Sequence, residues 1–210
     1  MKKILSSEIT PYSTYLNRRK FIKTASTISI ASTLSYPLQA LHSEDTSKYQ
    51  QQLESGEELN TFNEVTTYNN FYEFGTGKSD PSNNSDAFNP KPWSIKIEGL
   101  VEKSFNINFE DLLKNVTIED RVYRLRCVEG WSMIIPWQGF PLSRLIELAQ
   151  PLESAKFIQF ETIFRPDEMP GQNKRILPWP YVEGLRIDEA MHPLTILSTG
   201  IYGHDLLNQN

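Results

Sequence analysis

The 210-residue sequence holds a single cysteine, Cys127, and three scattered histidines, His42, His192 and His204. One thiol cannot form a disulfide within the chain, and this set of side chains makes neither a zinc constellation nor a CxxCH haem attachment. No Walker loop and no GxGxxG follows a strand-like run, so nucleotide and dinucleotide binding have no support. The formal net charge is −5, and no basic stripe survives beyond the first residues, which argues against nucleic acid as a partner. There is no internal repeat. Beyond the leader, no apolar run approaches the roughly 20 residues that a helix needs to cross a bilayer.

What is present begins with a leader. Arg18 and Arg19 are followed, after Lys20, by the apolar pair Phe21 and Ile22 and then Lys23, the pattern of a twin-arginine export signal. Residues 24–40 are small, rich in Ser and Thr and only mildly apolar, too short and too polar for a membrane span, with Leu38, Gln39 and Ala40 as an imperfect cleavage site. We therefore expect residues 1–40 to be a signal peptide and the mature chain to reach the periplasm already folded, as a protein carrying a cofactor inserted in the cytoplasm must. Residues 41–64 are expected to be a polar, solvated lead-in, since 41–60 read LHSEDTSKYQQQLESGEELN. Residues 65–210 form the domain.

Within that domain the hydrophobic pattern alternates between periods. Trp93, Ile95 and Ile97 interleave with polar residues, as do Phe105, Ile107 and Phe109, and each run predicts a half-buried strand. A short helix is expected over 110–115. Tyr123, Leu125 and Cys127 predict one face of a further strand, with Arg124 and Arg126 on the other. Pro141 opens a helix in which Leu142, Leu145, Ile146 and Ala149 recur at helical spacing. Strands are expected over 156–164 and 194–201, with a long surface loop over 165–180 between them. Strands mixed with isolated helices predict an α+β domain.

An unpaired cysteine in an exported chain is an inert buried thiol, a partner for another molecule, or a ligand that something else keeps occupied. A Cys-His-Asn nucleophile is compatible with composition, but nothing around Cys127 resembles a protease signature, and the flanking arginines suggest an anion. Those arginines would also favour the deprotonated form of the cysteine.

Five segments carry a resemblance: YNNFYEFGTGKSDP at 68–81, RVYRLRCVEGWSMIIPWQGFPL at 121–142, FETIF at 160–164, MPGQ at 169–172 and PYVEGLRIDEAMHPLTIL at 180–197. Together they resemble the catalytic subunits of periplasmic protein-methionine-sulfoxide reductases, in register from about residue 67 to the last. The resemblance implies a sulfite-oxidase type of fold binding a molybdenum-molybdopterin cofactor, with Cys127 as the protein's thiolate ligand to the metal. It further implies that Asn69, Tyr72, Glu73, Thr162 and Asn210 contact the cofactor. Asn70 is close enough to direct an amide oxygen toward the metal instead, and Glu129 is a candidate to tune the metal or carry a proton. Trp131, Trp137 and Trp179 fall to packing or to the rim of the substrate opening.

The implied activity is reduction of methionine sulfoxide residues in oxidatively damaged periplasmic proteins. Lacking haem and flavin motifs, the chain would draw electrons from a haem-containing membrane subunit. The family continues past the position of Asn210 with a Gly-Ala-Pro turn, a basic phosphate anchor and further strands, so the sequence is expected to be a fragment or a shortened product, with weak cofactor retention if nothing follows. Two other readings stay open: a related exported molybdoenzyme acting on another S-oxide, N-oxide or sulfite, and a non-catalytic remnant.

Overall fold

The computed structural model describes residues 46–210, so the leader and its arginines lie outside the described residues. Three antiparallel sheets organise them. Strands β1 (Ser94–Ile97) and β2 (Phe105–Asn108) form a hairpin, with Ile95 opposite Ile107 and Ile97 opposite Phe105. Strands β3 (Glu119–Arg126), β4 (Ser132–Pro141), β7 (Ile196–Ile201) and β8 (His204–Asp205) make a four-stranded sheet in the order β3-β4-β7-β8. Strands β5 (Phe157–Glu161) and β6 (Val182–Arg186) pair separately. Short helices connect and cover these sheets, so the α+β expectation holds.

The amphipathic pattern after Pro141 forms the helix Leu142–Ala149, which ends at Gln150 in the left-handed conformation. Its apolar stripe, Leu142 and Ile146, packs with Ala190, Ile158, Phe160, Leu185 and Leu197, joining the β5–β6 pair to β7. A second core lies on the four-stranded sheet, where Val65, Met133, Ile135, Ile201 and Tyr202 pack with Phe62, Leu125 and Trp131. Val65 belongs to the helix Phe62–Thr67, which opens on a complete capping box: the Thr61 hydroxyl accepts from Glu64 N at 3.2 Å, and the Glu64 carboxylate accepts from Thr61 N at 2.8 Å. The expected boundary between residues 64 and 65 therefore falls inside a helix.

The lead-in also departs from expectation, because residues 46–60 dock on the sheet. Tyr49 is only 1% exposed and its hydroxyl donates to Asp120 at 3.2 Å, beside the Lys48–Asp120 ion pair. The Gln52 amide oxygen accepts from Val122 N, and Glu57 pairs with Arg124. Asn60 donates its N–H to Ile134 O and accepts from Ile134 N on its side chain. Gln52 thus meets a backbone group on the outer edge of β3, and Asn60 pairs with the backbone of β4. Composition could not disclose this, because the segment binds through polar groups rather than an apolar stripe.

The stretch 165–180 is not wholly a surface loop. Met169, Gly171 and Gln172 are buried around the 3₁₀ turn Pro170–Asn173, and Gln172 bonds back to Arg165 N and Ile163 O. Strand predictions elsewhere hold with trimmed ends, while β4 and β6, with irregular burial patterns, had no clean period of two to reveal them.

Candidate functional site: the Cys127 turn and the loop facing it

Cys127 lies just past β3, not within it. Its N–H donates to Trp131 O at 2.9 Å and its carbonyl accepts from Gly130 N at 2.9 Å, closing a three-residue hairpin loop between β3 and β4. Such a loop needs a left-handed residue at its last position, and Gly130 supplies it with φ 89°. The sequence CVEGW is thus a turn whose tip, Val128, is 93% exposed while Cys127 is half-buried beneath it.

The donors that reach the sulfur are not the arginines. Arg124 and Arg126 point to the other face of β3, the first paired with Glu57 and the second donating to the Ser132 hydroxyl at 3.2 Å. Strand alternation accounts for this, since Leu125 between them packs into the core. Sγ instead receives Asn70 Nδ2 at 3.4 Å and the backbone N–H of Glu129 at 3.5 Å. The polar contacts to the sulfur, expected from guanidinium groups, come from an amide and a turn N–H.

Glu129 is the hub of the turn. Its carboxylate accepts from the Tyr72 hydroxyl at 3.0 Å, from Trp131 Nε1 at 3.0 Å and from the Lys78 ammonium. The Lys78 hydrogen bond, then that of Trp131, holds the Glu129 carboxyl below the ordinary carboxylate range, and Glu129 in turn pushes the Tyr72 phenol up. Trp131 also stacks edge-on against Tyr68 at 5.4 Å, which assigns it to both packing and the site.

The facing loop, residues 68–78, carries Asn69, Asn70, Tyr72 and Glu73. Asn69 N donates to Lys78 O at 2.9 Å and closes it. Phe74 is buried in a run of ring contacts from Phe71 through Phe88 to Trp93. Gly171 presses on the loop from behind: its N–H donates to Glu73 O at 2.6 Å, and a Cβ there would stand 1.9 Å from Tyr72 O. Glu73 is buried, and desolvation raises its carboxyl above the ordinary value of 4.5, against a lowering hydrogen bond from Thr162. Thr162 is fixed in turn by exchanging bonds with Tyr181.

Asn69 and Asn210 meet at one acceptor. The last carbonyls of a helix lack partners within it, and here Val65 O accepts both Asn69 Nδ2 at 3.0 Å and Asn210 Nδ2 at 3.1 Å, while Thr66 O accepts Gln209 Nε2 at 3.0 Å. Because Val65 O only accepts, both amides must present their nitrogens to it and turn their oxygens away. Those two oxygens, Asn69 Oδ1 and Asn210 Oδ1, are buried with no partner in the protein. An unsatisfied buried acceptor costs about 1–3 kcal/mol, so the pair of them marks a place suited to N–H or O–H donors from outside the chain.

The expected residues thus form three connected clusters: Cys127 with Asn70, Tyr72 and Glu129; Asn69 with Asn210; Glu73 with Thr162. Thr162 and Asn210 make no hydrogen bond to the Cys127 turn. Lys78 is the residue that sequence reasoning missed; it sits in the quoted GTGKSDP run, but nothing in its spacing pairs it with a glutamate 51 positions away. Among the described residues no group of three or more His, Cys, Asp and Glu is placed to hold a metal ion.

Residues 82–210 match the family described as oxidoreductase molybdopterin binding domain. This chain belongs to that family. It is 49% identical over 209 residues to the protein-methionine-sulfoxide reductase catalytic subunit MsrP of Gluconobacter oxydans (strain 621H), a match covering 98% of this chain and 65% of that protein. It therefore spans about two thirds of its curated relative's length. Among solved structures, the sulfane dehydrogenase SoxCD of Paracoccus pantotrophus is similar with a TM-score of 0.48 and 14% identity, covering 100% of this chain and 52% of that one. The site fits the family's ligand. A pterin carries ring and amino N–H donors, the complement of two orphaned amide oxygens, and a soft thiolate suits a redox metal.

Proposed function

We propose that this chain is the cofactor-binding part of a reductase that returns methionine sulfoxide residues of exported proteins to methionine, using a molybdenum-molybdopterin centre. The observation that carries this is the placement of Cys127, a thiol held by Asn70 and the Glu129 N–H at a surface turn, beside a loop whose Asn69 shares an acceptor with Asn210. The identity to a reductase of that activity supplies the reaction. Cys127 would ligate the metal, and Asn69, Tyr72, Glu73, Thr162 and Asn210 would hold the pterin. When bound, the centre supplies the two electrons that, with two protons, convert a sulfoxide to a thioether and water.

The chain's own residues would do the rest. Asn70 and the turn N–H hold the sulfur in place, and the outward tip at Val128 leaves the turn open to a side chain borne on a protein, which supports a protein substrate. Electrons would come from a haem-containing membrane subunit, since the sequence carries no haem attachment motif. The twin-arginine leader supports a periplasmic location.

Expression of the chain, continued past Asn210 as in its longer relative, alongside molybdenum-cofactor synthesis tests the reading. Bound molybdenum, a Mo(V) paramagnetic signal and reduction of an oxidised methionyl peptide by a reduced viologen dye are expected. Cys127→Ser should abolish the reduction and lose or change the signal, because oxygen is a harder and poorer donor to this metal. A wild-type chain without molybdenum, or a serine variant with unaltered signal and rate, refutes it.

A further inference from the structure

Two segments distant in sequence build the centre of the site, and no strand pairing joins them: the loop 68–78 and the hairpin turn 127–131. What joins them is a set of side-chain bonds converging on Glu129. Tyr72 and Lys78 reach it from the loop, and Trp131 reaches it from the turn. Lys78 contributes twice. Its ammonium pairs with Glu129 and lies 5.9 Å from the Tyr72 ring centroid, while its carbonyl accepts Asn69 N at 2.9 Å. The Lys78 and Glu129 side chains are 28% and 19% exposed, so water screens the pair less than it would a surface bridge.

We propose that Lys78 is a positioning residue of the site, latching the turn that carries Cys127 to the loop that carries Asn69, Asn70, Tyr72 and Glu73. It acts through Glu129, whose backbone N–H is 3.5 Å from the Cys127 sulfur, so the carboxylate that Lys78 grips belongs to the residue that also steadies the thiol. The carboxylate already receives three donors, which makes it a joint between segments. The proposal deepens the reading of Cys127 as the metal ligand and rests on it for its functional half. Its mechanical half stands on the chain alone.

Amide hydrogen exchange of the full chain without cofactor, followed by mass spectrometry, tests the latch. Lys78→Met should speed exchange in peptides covering 68–78 and 127–131 together by roughly tenfold or more, the ratio expected from losing a charge-assisted hydrogen bond. Peptides covering β7 should be unchanged, and Lys78→Arg, which keeps the charge, should restore slow exchange. If Lys78→Met yields no folded chain, Lys78→Gln and Glu129→Gln break the same pair from its two sides and should loosen the same two segments. Acceleration confined to 68–78, acceleration spread over the whole chain, or no rescue by arginine overturns the latch.

In the molybdenum-loaded protein, Lys78→Met should shift or broaden the Mo(V) signal and Lys78→Arg return it. An unchanged signal in a variant whose exchange has accelerated overturns the positioning role. A wild-type chain that takes up no molybdenum sinks the functional reading and leaves the exchange result to decide the latch.

Discussion

Gly171→Ala is the sharpest test of how the loop 68–78 is held. The added Cβ would stand 1.9 Å from Tyr72 O and 2.7 Å from both the carbonyl carbon and oxygen of Glu73, all of them backbone atoms that cannot rotate away. Ordinary Cβ contacts are no closer than about 3.0 Å, so the two backbones would have to part by about 1 Å, at an overpacking cost of roughly 1–3 kcal/mol. Parting them also stretches the 2.6 Å bond from Gly171 N to Glu73 O, a loss of about 1 kcal/mol. The expected destabilisation is therefore about 2–4 kcal/mol. With a urea dependence of about 2 kcal/mol/M, the middle of the usual range, the unfolding midpoint should fall by about 1–2 M. The displaced atoms belong to Tyr72 and Glu73, so cofactor retention should fall as well. Urea titration followed by tryptophan fluorescence measures the first effect, and molybdenum per protein the second. A midpoint within about 0.3 M of wild type would show that the MPGQ turn does not brace the loop.

The buried carboxyl of Glu73 makes a pH-dependent prediction. Desolvation raises its folded value above the ordinary 4.5, so the stability this group contributes is fully present below the unfolded value and is lost as pH rises through the folded one. Glu73→Gln, which cannot ionise, should leave the cofactor-free chain more stable than wild type at neutral pH and bring no such gain at pH 4; an equal effect at both values refutes the burial argument. Replacing Arg18 and Arg19 together by lysine should hold the precursor in the cytoplasm, and normal appearance of mature protein outside would refute the export reading.

Much of this protein was legible in the order of its residues. The helix Leu142–Ala149 follows from apolar residues recurring every three or four positions after Pro141, and the β1–β2 hairpin from strict alternation, because each element buries one face. Cys127 stood out by being alone, and the runs around Asn69, Cys127 and Thr162 were specific enough to place a family. Polar docking was not legible. Residues 46–60 hold to β3 and β4 through Tyr49, Gln52, Glu57 and Asn60, whose hydrogen bonds leave no periodic trace.

The sequence by itself determined the α+β class, the single cysteine, and the two segments around Asn69 and Cys127 that form the candidate site. Local pattern is enough for these, since backbone propensity and the burial of one face act over a few residues. Only the tertiary structure decided which groups touch the sulfur. It turned Arg124 and Arg126 away, brought Asn70 to Cys127, gave Glu129 to Lys78, and left the oxygens of Asn69 and Asn210 without a protein partner around one helix-end carbonyl. These outcomes depend on strand facing and on contacts between segments from 50 to more than 140 residues apart, where the position of one side chain is set by the packing of all the others.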